Sequence, residues 1–221
     1  MKSRPHRILT SLLGNFFNLL YHQFAWAYDF VSTMVSVGMW TDWIFSIIPF
    51  LSKQKILELG HGTGHLQKVL LHKEKQIVGI DLSPEMGRIC AKKVKTQNLE
   101  PNLVNGKAQQ LPFPKSSFDQ VVSTFPTPYA LAPETITEVH RVLIPGGEFL
   151  IIPEARITGR NPIYIAASWL FKITGQTNEL FEEFYEQAIK SYYRIGFKTD
   201  SEVINLENSI VLIIHCVKAE R

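Results

Sequence analysis

Lys55-Ile56-Leu57-Glu58-Leu59-Gly60-His61-Gly62-Thr63-Gly64 is the stretch that decides the fold of this chain. Residues 55–59 form a short apolar run, which predicts a buried parallel strand, and the glycine-rich turn after it leads into a helix near Gly64. Glycine allows the backbone to approach a ligand closely and to adopt positive φ. Residues 78–81, Val-Gly-Ile-Asp, end a second strand with an acid that can accept hydrogen bonds from the hydroxyl pair of a ribose. Together the two stretches predict a nucleoside pocket at the carboxyl edge of a parallel sheet.

The glycine turn separates two classes of nucleotide-binding protein. A dinucleotide-binding fold requires G-x-G-x-x-G, in which the third glycine permits close packing of helix and strand. Here the sixth position is His65, so that fingerprint is incomplete. The pattern E-L-G-x-G-T-G at residues 58–64 instead resembles motif I of the class I S-adenosylmethionine-dependent methyltransferases. The resemblance implies that this loop holds the amino-acid end of the cofactor.

Further landmarks follow in order, and they resemble the branch that includes the ubiquinone/menaquinone-biosynthesis enzymes and many small-molecule and lipid methyltransferases. These landmarks are I-D-L-S-P-E-M at 80–86, L-P-F-P at 111–114, S-F-D-Q-V-V at 117–122 and R-V-L-I-P-G-G at 141–147. The resemblance covers residues 56–153. It does not determine the substrate, because the branch shares a cofactor-binding half and varies the rest.

The order of predicted elements gives the fold class independently. Ser83 and Pro84 have the N-cap and first-turn chemistry of a helix. Residues 118–122 and 148–152 read as strands, and residues 134–143 have helical spacing, with Pro145-Gly146-Gly147 predicted to end that helix. Residues 198–206 and 209–218 predict an antiparallel hairpin around Glu207-Asn208. We therefore expect an α/β, Rossmann-like methyltransferase fold: a seven-stranded, mostly parallel sheet with an antiparallel C-terminal hairpin, helices on both faces and a helical N-terminal lid.

Composition is consistent with one folded unit in a reducing compartment, which predicts a cytoplasmic protein. The chain has 221 residues, of which 45% are hydrophobic, and a net charge of +3 with scattered basic residues, which argues against nucleic-acid binding. Two cysteines, Cys90 and Cys216, provide neither a disulfide framework nor metal spacing. We expect a helical cap over residues 1–50 and a methyltransferase domain over 51–221. The sequence does not indicate the oligomeric state.

The first fifty residues combine a basic end with an apolar, aromatic run. Polar residues interrupt that run, and the apolar character continues past the signal-peptidase-like Ala25-Trp26-Ala27, so secretion is disfavoured. Asp29 and Asp42 break the run before it reaches the length of a membrane span. Two compatible interpretations remain. Helices over 9–22 and 24–37 form a lid with Tyr21 or Tyr28 facing the pocket, or the basic amphipathic end lies on an anionic membrane surface as a peripheral contact.

Two later segments predict an apolar cover above the carboxyl edge. Residues 162–171 are markedly apolar, and residues 179–193 have an aromatic stripe at helical spacing. With the N-terminal aromatics they predict a hydrophobic pocket, and hence a small, hydrophobic or lipid-like acceptor. The alternative is that the second helix is ordinary core.

The resemblance implies a set of cofactor contacts. Glu58 organises the loop and the methionine ammonium group, Asp81 holds the ribose hydroxyls, and Leu82 and Met86 flank the adenine. The other contacts in the loop are Gly60, His61, Gly62, Thr63 and Gly64. Tyr28 of the predicted lid, and Thr124 and Phe125 after the fourth strand, complete the predicted cofactor-binding set. One departure concerns Lys107-Ala108, where the family carries an acid that accepts from the adenine amino group. Lysine has only donors, so Gln109 or a backbone carbonyl must substitute, with Ala108 contributing its backbone N–H.

The implied chemistry is direct displacement at the sulfonium methyl group, in which the protein aligns the reactants and excludes water. A general base is needed only if the acceptor must lose a proton. The candidate bases are Tyr129, His22 and Glu154, while His140 reads as structural. His61 and His65 are four residues apart, but no third ligand accompanies them, so we expect no metal.

The function indicated is S-adenosylmethionine-dependent methyl transfer to a quinone precursor, a phospholipid amine or a secondary metabolite. The alternative is a non-catalytic cofactor-binding or membrane-associated regulator.

Overall fold

Seven strands form one sheet in the order β3-β2-β1-β4-β5-β7-β6. The computed structural model describes residues 28–126, 128–165, 167 and 189–220. The strands are β1 (Lys55–Leu59), β2 (Gln76–Asp81), β3 (Leu103–Asn105), β4 (Phe118–Thr124), β5 (Leu143–Ile157), β6 (Phe197–Asn205) and β7 (Ser209–Lys218). Strands β1 to β5 run parallel, whereas β7 is antiparallel to both β5 and β6. The predicted seven-stranded fold with its C-terminal hairpin is confirmed.

Helices cover both faces of this sheet. They are α1 (Tyr28–Val35), α2 (Trp40–Phe45), α3 (His65–His72), α4 (Pro84–Lys95) and α5 (Pro133–Val142), with short 3₁₀ turns at Ile48–Phe50 and Pro128–Leu131. Helices α3 and α4 connect strands on one side of β1, and α5 connects strands on the other side of β4. The strand order therefore reverses between β1 and β4, which is the point where open α/β sheets bind ligands.

The side chains of β1 point alternately to the two faces of the sheet, and the hydrophobic core has one layer on each face. Ile56 packs with Leu66 and Leu70 of α3 and with Trp43 of α2. Leu57 and Leu59 face the opposite layer, which contains Ile136 and Val139 of α5. All of these side chains are at most 2% exposed, so the strand ends that carry the glycine loop rest on a rigid base.

The chain between α5 and β5 differs from the sequence-based expectation. The sequence predicts that Pro145-Gly146-Gly147 ends the helix, but α5 ends at Val142 and the backbone is already extended at Leu143. The pairing of β4 with β5 then jumps between Phe118 and Gln120. The Pro-Gly-Gly sequence thus forms an irregularity inside β5, with Gly146 at a φ of 71°, because turn residues also suit a β-bulge.

The amino-terminal helices pack on the α3 side of the sheet. Trp43 Nε1 donates a hydrogen bond of 2.8 Å to Ser209 Oγ of β7, 166 residues away. Within the described ranges no single helix is long and apolar enough to cross a membrane; Asp29–Val35 and Trp40–Phe50 reach that length and composition only as a pair bent by 96°.

The predicted cover elements lie largely outside the described residues. Residues 9–22 lie wholly outside them, and residues 162–165 are helical. Residues 189–193 are the described part of the second predicted helix, which continues to residue 195. Tyr192 in that part is fully buried, as the predicted aromatic stripe requires.

Candidate active site

The glycine loop leaves β1 with its backbone held against β2. Gly60 N–H donates to Ile80 O at 2.8 Å, and Gly60 has a φ of 72°. A Cβ added at Gly60 would fall inside contact distance of the Tyr129 hydroxyl. Gly64, at a φ of 84°, is likewise crowded by the Cys90 thiol. Both positions require glycine for conformation and for space.

Asp81 joins the loop that follows β1 to the loop that follows β2. Its Oδ2 accepts from Gly62 N–H at 2.9 Å, and its Oδ1 accepts from Ser83 N–H at 2.8 Å. A carboxylate has about four acceptor positions, so two remain for a ribose diol. Beside it, Leu82 is 56% exposed, whereas Met86 is fully buried beneath the predicted N-cap Ser83.

A buried carboxyl group lies under the loop. Glu58 is 2% exposed, and its Oε2 accepts from Gln67 Nε2 at 2.7 Å. Burial raises the pKa of Glu58 to about 8, and the negative charge of Asp81 adds to this effect. Among the described residues, Gln67 Oε1 has no hydrogen-bond donor. The loop therefore covers an acid and an acceptor that an ammonium group can satisfy.

His61 fills the space between the loop and β2. Its Nδ1 lies 2.9 Å from Gly62 O, and burial lowers its pKa even though Asp81 opposes that effect. A Cβ at Gly79 would lie 2.9 Å from this ring and 2.8 Å from Gln67 Nε2. Gly79 thus lets both side chains rest on the strand.

A charged cluster ties α1 to the loop. Asp29 Oδ1 accepts from Thr63 Oγ1 and, at 3.0 Å, from His65 Nε2, while Asp29 Oδ2 accepts from Lys93 Nζ at 2.8 Å. Burial raises the pKa of Asp29, but the hydrogen bonds from His65, Lys93 and Thr63 outweigh burial and hold that pKa well below its usual range. Sequence reasoning treats Asp29 only as a break in an apolar run and misses Lys93 and Gln67 altogether.

The end of β4 forms the opposite wall. Ser123 Oγ donates to Leu59 O at 2.9 Å and so joins the ends of the two strands. Thr124 ends β4, and Phe125 follows at a φ of 48°. The Phe125 ring lies 4.7 Å from Trp40, so Phe125 packs against α2.

The segment 107–109, which departs from the pattern of the family, lies mostly on the surface. Lys107 and Gln109 are exposed, whereas Ala108 is buried. Lys107 O accepts from Gln110 N–H at 3.1 Å, so the segment forms a turn after β3. Neither exposed side chain makes a described contact with the glycine loop.

The structure separates the candidate bases. Tyr129 reaches Gly60, as described above, whereas Glu154 forms an ion pair of 2.8 Å with Arg156. His140 is on α5. Lys218 Nζ donates to both His140 O and Leu143 O, which places His140 near the start of β5. His140 is therefore at the amino ends of the parallel strands, opposite the glycine loop. His22 and Tyr21 lie outside the described residues. Tyr28 contributes its backbone to α1, and its side chain is not described.

The described part of the chain contains no group of three or more His, Cys, Asp and Glu side chains placed to hold a metal ion. His61 and His65 serve different partners: the first contacts Gly62 and the second contacts Asp29.

Comparison with known proteins agrees with this geometry. Residues 57–151 match the family model of the methyltransferase domain. The ubiquinone/menaquinone biosynthesis C-methyltransferase UbiE of Wigglesworthia glossinidia brevipalpis is 29% identical over 142 residues, which cover 60% of this chain and 57% of that protein. The demethylmenaquinone methyltransferase of Thermotoga maritima is 26% identical over 199 residues, which cover 85% and 83%.

A solved SAM-dependent methyltransferase from Methanosarcina mazei has a TM-score of 0.57 and 22% identity, covering 80% of this chain and 98% of that one. The fold is that of the class I S-adenosylmethionine-dependent methyltransferases, and residues 57–151 match the methyltransferase domain. Within that class, the chain is similar to the ubiquinone/menaquinone-biosynthesis enzymes. The resemblance and the cofactor class drawn from the motifs are confirmed. The chain spans only 57% of the length of the Wigglesworthia relative.

Proposed function

We propose that this protein transfers a methyl group from S-adenosylmethionine to a carbon atom of a small hydrophobic acceptor of the quinone-precursor type. The main observation behind this proposal is the position of Asp81. Each of its two carboxylate oxygens accepts a hydrogen bond from a loop N–H, close to the point where the strand order reverses. This arrangement leaves acceptor positions for a ribose beside a glycine loop that a side chain would obstruct. The quinone-directed activities for which the relatives are named support the acceptor class.

The residues present fit the cofactor. Asp81 would hold the ribose hydroxyls, and Leu82, which is exposed beside it, would cover one adenine face. Glu58 and Gln67 Oε1, which accepts a hydrogen bond from none of the described residues, would attract the methionine ammonium group. Met86 is buried, so it would act by supporting Leu82 from below.

The protein's part in the reaction is alignment and exclusion of water. S-adenosylmethionine, when bound, supplies a methyl group that is activated by its positively charged sulfur. The Tyr129 hydroxyl lies against Gly60 and is the described candidate base nearest to the loop. Glu154 already forms its ion pair with Arg156, so Tyr129, in its phenolate form, would take the proton that a carbon or oxygen acceptor must lose.

Apolar side chains next to the end of β4 support a hydrophobic acceptor. Phe125 packs against the rings of Trp40 and Trp43, at centroid distances of 4.7 and 6.1 Å. On α1, Phe30 and Met34 are 66% and 64% exposed. These exposed residues support peripheral contact of a cytoplasmic enzyme with a membrane, where an apolar substrate would be found. The division into a cap at 1–50 and a domain at 51–221 belongs to the same proposal.

Two measurements test this function. First, S-adenosylhomocysteine, and not a nicotinamide dinucleotide, should raise the melting temperature, since a ligand present at 100 times its Kd stabilises the native state by about 2.7 kcal/mol. Second, labelled S-adenosylmethionine should methylate a prenylated hydroquinone but not phosphoethanolamine, with the methyl group located on a ring carbon by NMR. Stabilisation by the nicotinamide compound alone would overturn the class. Transfer to the amine alone would overturn the acceptor.

A further inference from the structure

Asp29 of α1 reaches the glycine loop and the start of α3 through hydrogen bonds from Thr63 and His65. We propose that Asp29 is a positioning residue for cofactor binding: through Thr63 it holds the glycine loop in its binding shape, so that docking of α1 and binding of the adenosyl cofactor are coupled. This inference rests on the proposed function, because it concerns the same loop.

The hydroxyl group of Thr63 both donates and accepts a hydrogen bond. It donates to Asp29 Oδ1, and it accepts from Lys93 Nζ at 3.1 Å. Thr63 is only 3% exposed, and it stands between Gly62 and Gly64, both at positive φ. Because glycine leaves the backbone many conformations, an anchored side chain between two glycines restricts the loop strongly.

The same cluster links the loop to the ribose-side wall. Lys93 belongs to α4, whose first turn begins at Ser83, and the Ser83 N–H is bound by Asp81. Asp29 therefore connects the glycine loop to α4, and α4 begins beside Asp81. The Asp29 carboxylate also lies beside the amino end of α3, where negative charge is favourable. The N-cap residue there is Gly64, which has no side chain to cap the helix.

Coupling of this kind is reciprocal. If fastening α1 improves the affinity of the loop for its ligand, binding of that ligand must stabilise α1 by the same factor. A cluster that served only to stabilise the fold would change the melting temperature without making exchange of the α1 amides depend on ligand.

The test compares matched variants in calorimetric titrations with S-adenosylhomocysteine. Loss of a charge-assisted hydrogen bond should raise Kd about tenfold in Asp29→Asn and in Thr63→Val. Thr63→Ser keeps the hydroxyl and should bind within about twofold of the wild type. Asp42→Asn removes the same charge from an exposed position on α2 and should have no effect. The double variant Asp29→Asn/Thr63→Val should bind about as weakly as the weaker of the two single variants, since both substitutions disrupt the hydrogen bond between Thr63 and Asp29.

Hydrogen exchange supplies the second readout. S-adenosylhomocysteine should slow exchange of the amides of residues 28–35 in the wild type and in Thr63→Ser, but not in Asp29→Asn. Wild-type affinity in both Asp29→Asn and Thr63→Val would overturn the inference and leave the proposed function intact. Absence of binding by the wild type would overturn both. If Asp29→Asn does not fold, the comparison of Thr63→Val with Thr63→Ser decides, because only Thr63→Ser retains the hydroxyl group.

Discussion

Replacing the buried Glu58 with glutamine should make the protein more stable at neutral pH. The substituted glutamine would keep a side-chain oxygen to accept from Gln67 Nε2, but it would carry no charge. In the wild type, burial raises the pKa of Glu58 from 4.5 to about 8, so the folded protein holds a proton that the unfolded chain releases. Above pH 4.5 that difference favours unfolding.

The magnitude follows from the distance in pH. Each pH unit between the two pKa values contributes about 1.4 kcal/mol, so the wild-type penalty is absent near pH 4.5. It reaches about 3 kcal/mol at pH 7 and levels off near 5 kcal/mol above pH 8. Glu58→Gln should therefore match the wild type at pH 4.5 and exceed its free energy of unfolding by about 3 kcal/mol at pH 7.

Urea unfolding of the ligand-free proteins, followed by tryptophan fluorescence between pH 4.5 and 8.5, measures this difference. Glu202→Gln, at an exposed site on β6, is the control and should show no pH-dependent gain. A difference between Glu58→Gln and the wild type that stays constant across the range would refute the reasoning. If the carboxylate also attracts the ammonium group, wild-type affinity for S-adenosylhomocysteine should rise with pH through this range, whereas that of Glu58→Gln should not.

Three further substitutions probe the loop and its surroundings. Asp81→Ala should weaken S-adenosylhomocysteine binding about tenfold or more, because a charged acceptor is lost; unchanged affinity in a titration would remove Asp81 from the site. Lys107→Asp should tighten binding or leave it unchanged, and a large loss would show that the lysine makes a contact of its own. Gly60→Ala should lower the free energy of unfolding by more than the roughly 1–2 kcal/mol expected from positive φ alone. Gly62→Ala, which has similar strain but open space around its Cβ, is its control, and equal losses for the two would contradict the crowding by Tyr129.

Local chemistry allowed much of the fold to be predicted. The apolar run of β1, the acid at the end of β2 and the Ser83-Pro84 helix start are each encoded within a few residues. The hairpin at Glu207-Asn208 is also local, and it forms between β6 and β7 as expected. The predicted site rests on the same kind of reasoning, since parallel strands bring their carboxyl ends to one edge.

Contacts between distant residues could not be read from such patterns. Asp29 meets Thr63 across 34 positions, and Glu58 meets Gln67 from a neighbouring helix. The signals that could have found them are polar residues in apolar settings: one acid in an aromatic segment, and a glutamine on the buried side of α3. The start of β5 was misplaced because proline and glycine suit helix ends and bulges equally well.

The closure of the carboxyl-terminal hairpin determines how far the chain can be divided. The matched methyltransferase segment stops at residue 151, inside β5, yet β5 pairs with β7 as far as Ile157. Lys218, the last residue of β7, supplies donors to carbonyl groups of His140 and Leu143 at 2.6 and 2.7 Å. A fragment that ends at residue 151 would leave the edge of β5 unpaired, which favours aggregation. It would also lack Lys218, which donates to the carbonyl groups at the end of α5. Shortened versions for crystallography should therefore retain everything through Lys218.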